Sequence, residues 1–310
     1  MDADHFSRDF SSCVGSSAVS PFSIDCIEVI TTDDALSHLV VSLKGERQLA
    51  VDTESNGFYA YHEKTCLIQL SNGVKNYIID PLSVKNCSHL TELFSDPNIE
   101  KILHHGVNDI SGLKHDFGLS FVNIFDTSVA CQLVGIKRRG LASLLSLYFG
   151  ISINKKGQHY DWSRRPLDKN LLIYAAVDVF YLIPLAEKLK KELKKIGRLE
   201  KAWELSQAVA SRIVPKRRFS VNGYLHMDCY KELDERDKKI VRRLYRLRDE
   251  FARQWDRAPF RVLSDDTIFR IVSVKPCTFE ELEKVKGVPA RLQRGQFGNM
   301  ILKIVQEGIL

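Results

Sequence analysis

The feature of this 310-residue chain that most restricts its fold is a change in the spacing of its apolar residues. Short apolar runs with strand-like alternation dominate residues 25–80, helices and strands alternate from there to about residue 193, and only helical spacing follows Gly197. Strands mixed with helices are typical of α/β folds, and a purely helical remainder indicates a separate helical domain. We therefore predict an α/β domain with a mixed sheet, followed by an all-α bundle.

The individual elements follow from periodicity, capping residues and glycine stops. The connections between the second, third and fourth strands suit antiparallel neighbours. Strands are predicted at 27–30, 48–54, 65–71, 76–80, 100–105 and 121–125. Helices are predicted up to residue 43 after a cap at 31–34, then at 90–94, 107–117, 127–134 and 141–149, from a cap at Asp168 to about 193, and at 234–255, 265–272, 278–285 and 293–307.

Charge divides the chain as sharply as periodicity does. Residues 1–185 hold 16 Lys+Arg and 21 Asp+Glu, a net charge of −5, whereas residues 186–310 hold 29 and 18, a net charge of +11. An acidic front half suits a metal or catalytic site, and a basic back half suits a polyanion. A basic face that is merely solvated would have the same composition, so charge alone does not identify the polyanion.

The pattern of apolar residues indicates neither a membrane-spanning protein nor a secreted one. The longest apolar run, residues 171–186, contains Asp178 and is shorter than the ~20 residues that a membrane span requires. The first nine residues lack the basic and apolar regions of a secretory signal. We therefore expect no membrane association and a cytoplasmic location.

Four acidic residues and one tyrosine are the candidate residues for chemistry. Asp52 and Glu54 project from the same face at the end of an apolar strand, because residues i and i+2 of a strand share a face. Asp109 follows a short strand and a glycine turn, near the start of a helix. Asp178 interrupts an apolar helix, with Tyr174 one turn earlier on the same face. Taken singly, each has an ordinary structural explanation, such as a strand end, a helix dipole or a Tyr–Asp contact.

Taken together, four carboxylates from three separated segments predict a two-metal phosphodiester site. Two divalent ions about 3.5–4 Å apart need several anionic oxygens around them. Mg²⁺ and Mn²⁺ prefer such ligands. One ion would activate water and the other would stabilise the leaving 3′-oxygen.

The order of these residues resembles the three exonuclease motifs of the DEDD superfamily, tyrosine subclass: Asp52-x-Glu54, Asp109 and Tyr174-x-x-x-Asp178. The segments 161–167 (DWSRRPL) and 174–179 (YAAVDV) are similar to the ribonuclease D family, and the resemblance covers residues 25–205. Residues 234–307 resemble the HRDC domain, a helical nucleic-acid-binding bundle. The implied domains are an N-terminal tail at 1–24, a ribonuclease H-like exonuclease domain at 25–205, a linker at 206–233 and an HRDC-type domain at 234–310.

The resemblance implies a role for each matching residue. The four acids would hold two Mg²⁺ or Mn²⁺ ions, and Tyr174 would position the attacking water. The family pattern places five further residues near the nucleic-acid strand: Phe58, His104, Gln158, Trp162 and Arg165.

A further expectation concerns the basic helical domain. Helical spacing puts Arg242, Arg246 and Arg253 on one face, where they would grip the nucleic-acid backbone.

The function implied by the resemblance is hydrolysis of RNA from its 3′ end to 5′-mononucleotides, in the maturation of tRNA precursors or other RNAs with a free 3′ end. Two alternatives remain at this point. The first is a DNA 3′-5′ exonuclease of the same superfamily, since the metal chemistry does not involve the 2′-hydroxyl. The second is a catalytically inactive fold that serves as an RNA-binding adaptor, although all five motif residues are present. No stable protein partner is deducible.

Overall fold

The computed structural model describes residues 22–153, 155–216 and 219–309, and these divide into two compact units. The first unit, the nuclease unit, holds the described residues up to Asn56 together with Lys64–Lys216. The second, the helical unit, holds Gly57–Glu63 and the described residues from Phe219 onwards. Nothing in the sequence pattern predicted that Gly57–Glu63 would belong to the helical unit. The predicted tail falls almost entirely on residues 1–21, outside the described part.

The nuclease unit is built on a six-stranded mixed sheet with the order β1-β4-β3-β2-β5-β6. β2 and β4 both pair antiparallel with β3, as predicted, while the β1–β4, β2–β5 and β5–β6 pairs are parallel. β3 is buried along its whole length because it lies in the middle of the sheet. The strands are β1 Ile27–Ile30, β2 Gln48–Ser55, β3 Thr65–Ser71, β4 Asn76–Ile79, β5 Glu100–Leu103 and β6 Ile124–Asp126.

The described residues of this unit also form eight α-helices, and local signals set several of their ends. Thr32, Asp126 and Asp168 cap helices through their side chains, and Gly118, Gly135 and Gly150 end helices in the left-handed conformation. The helices are α1 Asp33–Leu43, α2 Thr91–Phe94, α3 Val107–Phe117, α4 Thr127–Val134, α5 Leu141–Phe149, α6 Lys169–Phe180, α7 Leu182–Lys195 and α8 Leu199–Ser211.

Most predicted elements agree with the structure to within two residues at each end, and three predictions differ by more. Residues 206–211, predicted as linker, belong to α8, whose Val209 and Ala210 join the core of the nuclease unit. The long helix expected up to residue 193 is two helices, α6 and α7, which meet at Tyr181. Pro184 in the first turn of α7 explains the break, because proline cannot donate the backbone hydrogen bond that would continue α6. The strand expected at 121–125 begins only at Ile124.

The stretch Lys169–Lys195 is long and apolar enough to cross a membrane when judged by length and composition alone. Its place in the structure explains that composition differently. About half of its apolar window, 56%, is buried inside the fold, where Val179, Leu185 and Leu189 join the core on one side of the sheet. This stretch therefore forms the core helices α6 and α7 of the nuclease unit.

The helical unit has its own apolar core, formed largely by Ile240, Leu244, Phe251, Ile271 and Ile301 with their neighbours. Asp234, Ser264 and Thr278 cap its helices through their side chains. This is the all-α bundle that the helical spacing predicted. Its helices are α9 Glu235–Gln254, α10 Pro259–Val262, α11 Asp265–Val274, α12 Phe279–Glu283 and α13 Gly295–Ile309.

Candidate active site

The candidate site lies in the nuclease unit, where β2 continues beyond the last residue that it pairs with β5. The parallel pairing ends at Ala50 opposite Ile102, so Asp52 and Glu54 come from the part of β2 that has only β3 beside it. α6 packs against β2, β3 and β4. The site is therefore formed where a central strand, a helix and the chain after β5 meet.

Asp109 is placed by the turn between β5 and α3. Asp126, which caps α4, also accepts hydrogen bonds from the backbone N–H groups of His105 (3.3 Å) and Gly106 (2.9 Å) in this turn. α3 starts at Val107, so Asp109 lies in its first turn. The Thr53 hydroxyl donates a hydrogen bond of 2.5 Å to Asp109 Oδ1, which ties the start of α3 to the strand that carries the other two acids.

The third contribution comes from α6. Tyr174 and Asp178 lie one helical turn apart on α6, and the Tyr174 hydroxyl is close enough to the Asp178 carboxylate to lower its pKa. The four acids and the tyrosine are each half-buried rather than fully enclosed. They thus remain accessible to a substrate while being largely removed from bulk water.

The four carboxylates form one electrostatic group. Burial raises the pKa of Asp52 well above its ordinary value, and repulsion from Asp109, Asp178 and Glu54 adds to the effect. Burial, with repulsion from Asp178 and Asp109, raises the pKa of Glu54 to about 9. No described cationic side chain acts on the pKa of Glu54 to compensate. At Glu54, therefore, like charges are held together without a counter-charge from the described side chains.

Hydrogen bonds moderate the same effect at the other two acids. Burial raises the pKa of Asp109 to about 6, and the hydrogen bond from Thr53 opposes the rise. Burial raises the pKa of Asp178 to about 7, against the hydrogen bond from Tyr174. The pKa of the Tyr174 phenol is itself raised, first by burial and then by Asp178, so the phenol stays protonated at neutral pH.

This donor set fits hard divalent cations. Among the described residues, no three carboxylate, imidazole or thiolate groups already converge as a closed metal-ligand cluster. Mg²⁺ does not require one, because it keeps several waters and takes only one or two protein carboxylates alongside substrate phosphates. A dication would relieve the repulsion that raises the carboxylate pKa values. Asp52, Glu54, Asp109 and Asp178 are therefore the residues that could hold metal.

The residues expected along the nucleic-acid strand lie in different surroundings. His104 follows β5; its Nδ1 lies 2.8 Å from Thr127 Oγ1, and burial and His105 lower its pKa to about 4. Gln158 is exposed. Phe58 is 45% exposed and belongs to the helical unit, where its ring centroid lies 4.9 Å from that of Phe260.

Trp162 and Arg165 make contacts within the nuclease unit. Trp162 is only 1% exposed, so its ring has no free face on which a base could stack. Arg165 donates two hydrogen bonds of 2.6 Å to the carboxylate of Asp80, and its remaining donors go to backbone oxygens of Cys66, Trp162 and Arg164. The structure therefore shows both residues bound within the framework of the nuclease unit, and their contact with a nucleic-acid strand stays a prediction. These packing contacts join residues that are distant in the chain, so the sequence alone does not reveal them.

Two residues of the site were missed by sequence reasoning. Thr53 was read only as the spacer between two acids, yet its hydroxyl binds Asp109. Gly157 lies between the helix predicted at 141–149 and the cap at Asp168, where no element was predicted, yet it lies directly against the ring of Tyr174. A lone glycine in a polar segment was the only available sign of that close approach.

Comparison with known proteins places this site in a family context. Residues 27–194 match a family model described as 3′-5′ exonuclease, and residues 237–305 match the HRDC domain. The first match contains all four acids and Tyr174. Exosome complex component 10 of Rattus norvegicus is 32% identical over 286 residues, which cover 90% of this chain but 32% of that protein. The chain thus spans about a third of the length of such relatives.

Two further proteins are matched over most of their own length. Ribonuclease D of Cronobacter turicensis is 30% identical over 260 residues, which cover 82% of this chain and 69% of that protein. The crystal structure of the catalytic core of RRP6 from Trypanosoma brucei superposes with a TM-score of 0.82 at 29% identity, covering 91% of this chain and 79% of that one.

Proposed function

The chain belongs to the 3′-5′ exonuclease family, with an HRDC domain after the nuclease domain, and from this premise we propose that it is a divalent-metal-dependent 3′-to-5′ exoribonuclease of the ribonuclease D type. The observation that supports the proposal most strongly is the group of four half-buried carboxylates, in which burial raises every pKa and repulsion between the acids adds to the rise at Asp52 and Glu54. A hydrolase that works with bound dications needs such a group of carboxylates. In a structural cluster, the acids would instead be paired with cationic side chains.

Asp52, Glu54, Asp109 and Asp178 would hold two divalent ions. When bound, such ions supply polarisation of the scissile phosphate and activation of the attacking water. The protein's own contribution is placement. Thr53 fixes Asp109 through a hydrogen bond of 2.5 Å, and α6 fixes Asp178 one turn from Tyr174. Mg²⁺ and Mn²⁺ both suit carboxylate oxygens.

Tyr174 would orient the attacking water by a hydrogen bond. Burial and Asp178 raise the pKa of its phenol, so the phenolate needed for true base catalysis is not available at neutral pH. The neutral hydroxyl can still donate to one oxygen and accept from another. Orientation rather than proton abstraction is therefore the role that the chemistry of this group supports.

RNA is the proposed substrate, because the relatives that match at 30% identity or more include ribonuclease D and exosome complex component 10. We propose RNAs with a free 3′ end, tRNA precursors among them, and a site of action in the cytoplasm. A DNA exonuclease of the same fold is the main rival, because the metal chemistry does not involve the ribose 2′-hydroxyl. That hydroxyl is what distinguishes RNA from DNA at a binding site.

The decisive experiment uses the purified full chain with one RNA sequence labelled at either end. The 3′ label should be released at once as a mononucleotide, and the 5′ label should give a ladder that shortens with time. EDTA should stop both, and Mg²⁺ or Mn²⁺ should restore them. Internal cleavage, or release that resists EDTA, would contradict the proposal. RNA binding without release would support the adaptor alternative, and faster digestion of the matched DNA would support the DNA exonuclease.

A further inference from the structure

The ring of Tyr174 is in close contact with a chain segment that precedes α6 by several residues. Gly157 lies in the short helical turn Lys155–His159. A β-carbon placed on Gly157 would lie 2.5 Å from Cδ1, 2.6 Å from Cγ and 2.8 Å from Cε1 of Tyr174. Real β-carbons do not approach other atoms so closely. The backbone of Gly157 therefore rests on the phenol ring at a distance that only glycine permits.

A second contact restrains the same ring. The Trp162 and Tyr174 rings have centroids 6.0 Å apart and planes inclined by 31°. Trp162 is 1% exposed and is itself packed edge-on against Tyr160, at 5.6 Å between ring centroids. An indole that is buried on all sides cannot move away easily, because protein interiors are close-packed. The phenol thus has little room in which to rotate.

The far end of this segment is fastened to the sheet. Asp80 follows β4, and its carboxylate is held by two hydrogen bonds of 2.6 Å from Arg165. Arg165 also donates to the carbonyl oxygen of Cys66 on β3 (2.9 Å) and to that of Trp162 (2.8 Å). One guanidinium therefore connects Trp162 to two strands of the sheet. Such bidentate arginine–carboxylate pairs fix geometry as well as charge.

We propose that residues 157–165 form a tyrosine clamp, a positioning element that holds the Tyr174 hydroxyl towards the catalytic carboxylates through Gly157 and Trp162. This inference rests on the proposed function, since it assigns a purpose to the orientation of Tyr174. The physical need is clear from the position of the residue. A tyrosine on a half-buried helix face can point its hydroxyl in several directions, and a displacement of about 1 Å in a catalytic group can cost about 10²-fold in rate.

The test is Gly157→Ala in the full chain, with Gly140→Ala as the matched control. A β-carbon on Gly140 would meet nothing within 4 Å, and its φ of −68° is accessible to alanine. We expect Gly157→Ala to lower kcat about 10–100-fold with little change in KM, since a positioned group is displaced while substrate contacts remain. Gly140→Ala should behave like the natural chain. Equal kcat values for the two variants would overturn the clamp.

A double-mutant cycle shows whether Gly157 acts through the Tyr174 hydroxyl. Tyr174→Phe keeps the ring and removes the hydroxyl, and alone it should lower kcat about 10²–10⁴-fold. If the clamp serves that hydroxyl, Gly157→Ala should cause little further loss in the Tyr174→Phe background. If the two reductions in kcat multiply in the double variant, Gly157 acts in another way and the clamp is overturned. Full activity of Tyr174→Phe by itself would instead refute the proposed role of the tyrosine, so the two failures are distinguishable.

Trp162 provides a second route if Gly157→Ala does not fold. Trp162→Phe keeps an aromatic ring beside Tyr174, whereas Trp162→Leu removes it at similar hydrophobicity. The clamp predicts that kcat falls more for Trp162→Leu than for Trp162→Phe, and that the difference disappears in the Tyr174→Phe background. The same difference persisting in that background would overturn the proposal. Circular dichroism on each variant establishes that folded proteins are compared.

Discussion

Four acidic residues, two from each unit, differ in whether a cation accompanies them. In the nuclease unit, burial and mutual repulsion raise the pKa values of Asp52 and Glu54. In the helical unit, a hydrogen bond from Arg243 at 2.5 Å lowers the pKa of Glu307, and Lys275 lies 2.8 Å from Asp237. Acids without a cation partner therefore mark the site, whereas paired acids serve the fold. Net charge alone does not reveal this.

The same contrast occurs inside the nuclease unit. Asp80 and Asp178 are both aspartates next to apolar core. Although burial raises the pKa of Asp80, the hydrogen bonds and charge of Arg165 outweigh it and lower the pKa overall. Asp178 has only the hydroxyl of Tyr174, and burial raises its pKa to about 7. The presence of an arginine thus decides whether a buried carboxylate is a structural ion pair or a candidate ligand.

The largest effect is expected from removing one uncompensated acid. Asp178→Asn should lower RNA turnover about 10⁴-fold, because transition-state stabilisation by bound metal is worth several kcal/mol. Glu307→Gln, which removes a paired acid of the helical unit, should leave turnover unchanged. Mononucleotide release under saturating Mg²⁺ or Mn²⁺ measures both variants. Near-natural turnover of Asp178→Asn would refute the assignment of the site.

Sequence predicts those features that depend on residues close together in the chain. The helices at 107–117, 127–134 and 141–149 were predicted with the observed ends because capping residues and glycines lie within the local sequence. The order of the five motif residues likewise predicted which side chains the structure would bring together. The roles assigned to those side chains stay predictions until activity is measured.

The remaining features depend on contacts between distant residues. Arg165 was expected on the substrate, but it pairs with Asp80, 85 positions earlier in the chain. Trp162 was expected near the nucleic-acid strand, and tertiary packing buries it. The segment Gly57–Glu63 belongs to the helical unit because Tyr61 donates to Asp249 at 2.9 Å and Ala258 donates to the carbonyl oxygen of Tyr59 at 2.9 Å. No periodicity or motif encodes such pairings.

The second prediction removes a paired acid near the site. Asp80→Asn should lower the free energy of unfolding by about 2–3 kcal/mol, since breaking a buried pair leaves a charge uncompensated. This cost is smaller than that of breaking a fully buried ion pair, because the Arg165 side chain is 27% exposed. The pKa of Asp80 is lowered in the folded state, so this stabilisation is present above its unfolded value of 3.8 and is lost as pH falls. Urea unfolding at pH 8 and at pH 3 measures it, and an equal cost at both would contradict the argument.

The third prediction has the opposite sign. The pKa of Asp178 is raised from 3.8 to about 7 on folding, so ionising it costs stability as pH rises between these values. Metal-free Asp178→Asn should therefore be more stable than the natural chain at pH 8, by about 1 kcal/mol or more. The gain should vanish near pH 4. Thermal unfolding in EDTA at the two pH values measures it, and destabilisation at pH 8 would show that Asp178 is a structural acid.

The smallest effect concerns the basic face predicted to grip RNA in the helical unit. Arg242 lies 3.8 Å from Glu235 and donates from Nε to the carbonyl oxygen of Lys238 at 3.2 Å, so part of its binding capacity is already used. Arg246 is exposed and makes no ion pair with a carboxylate of the described residues. If uncompensated charge marks function here too, Arg246 should contribute more to RNA binding than Arg242.

Salt dependence of RNA affinity tests this directly, because each phosphate contact to a single strand contributes about 0.7 to the slope of log affinity against log salt. Arg246→Gln should reduce the slope by about that amount, and Arg242→Gln should reduce it less. Arg294→Gln is a suitable control, since Arg294 donates to Glu283 at 2.5 Å and lies outside the predicted face. An unchanged slope in Arg246→Gln, or in a double charge reversal at 242 and 246, would remove this face from RNA binding. The contrast between paired and unpaired charge would then hold for the nuclease site alone, where the carboxylates rather than the arginines carry it.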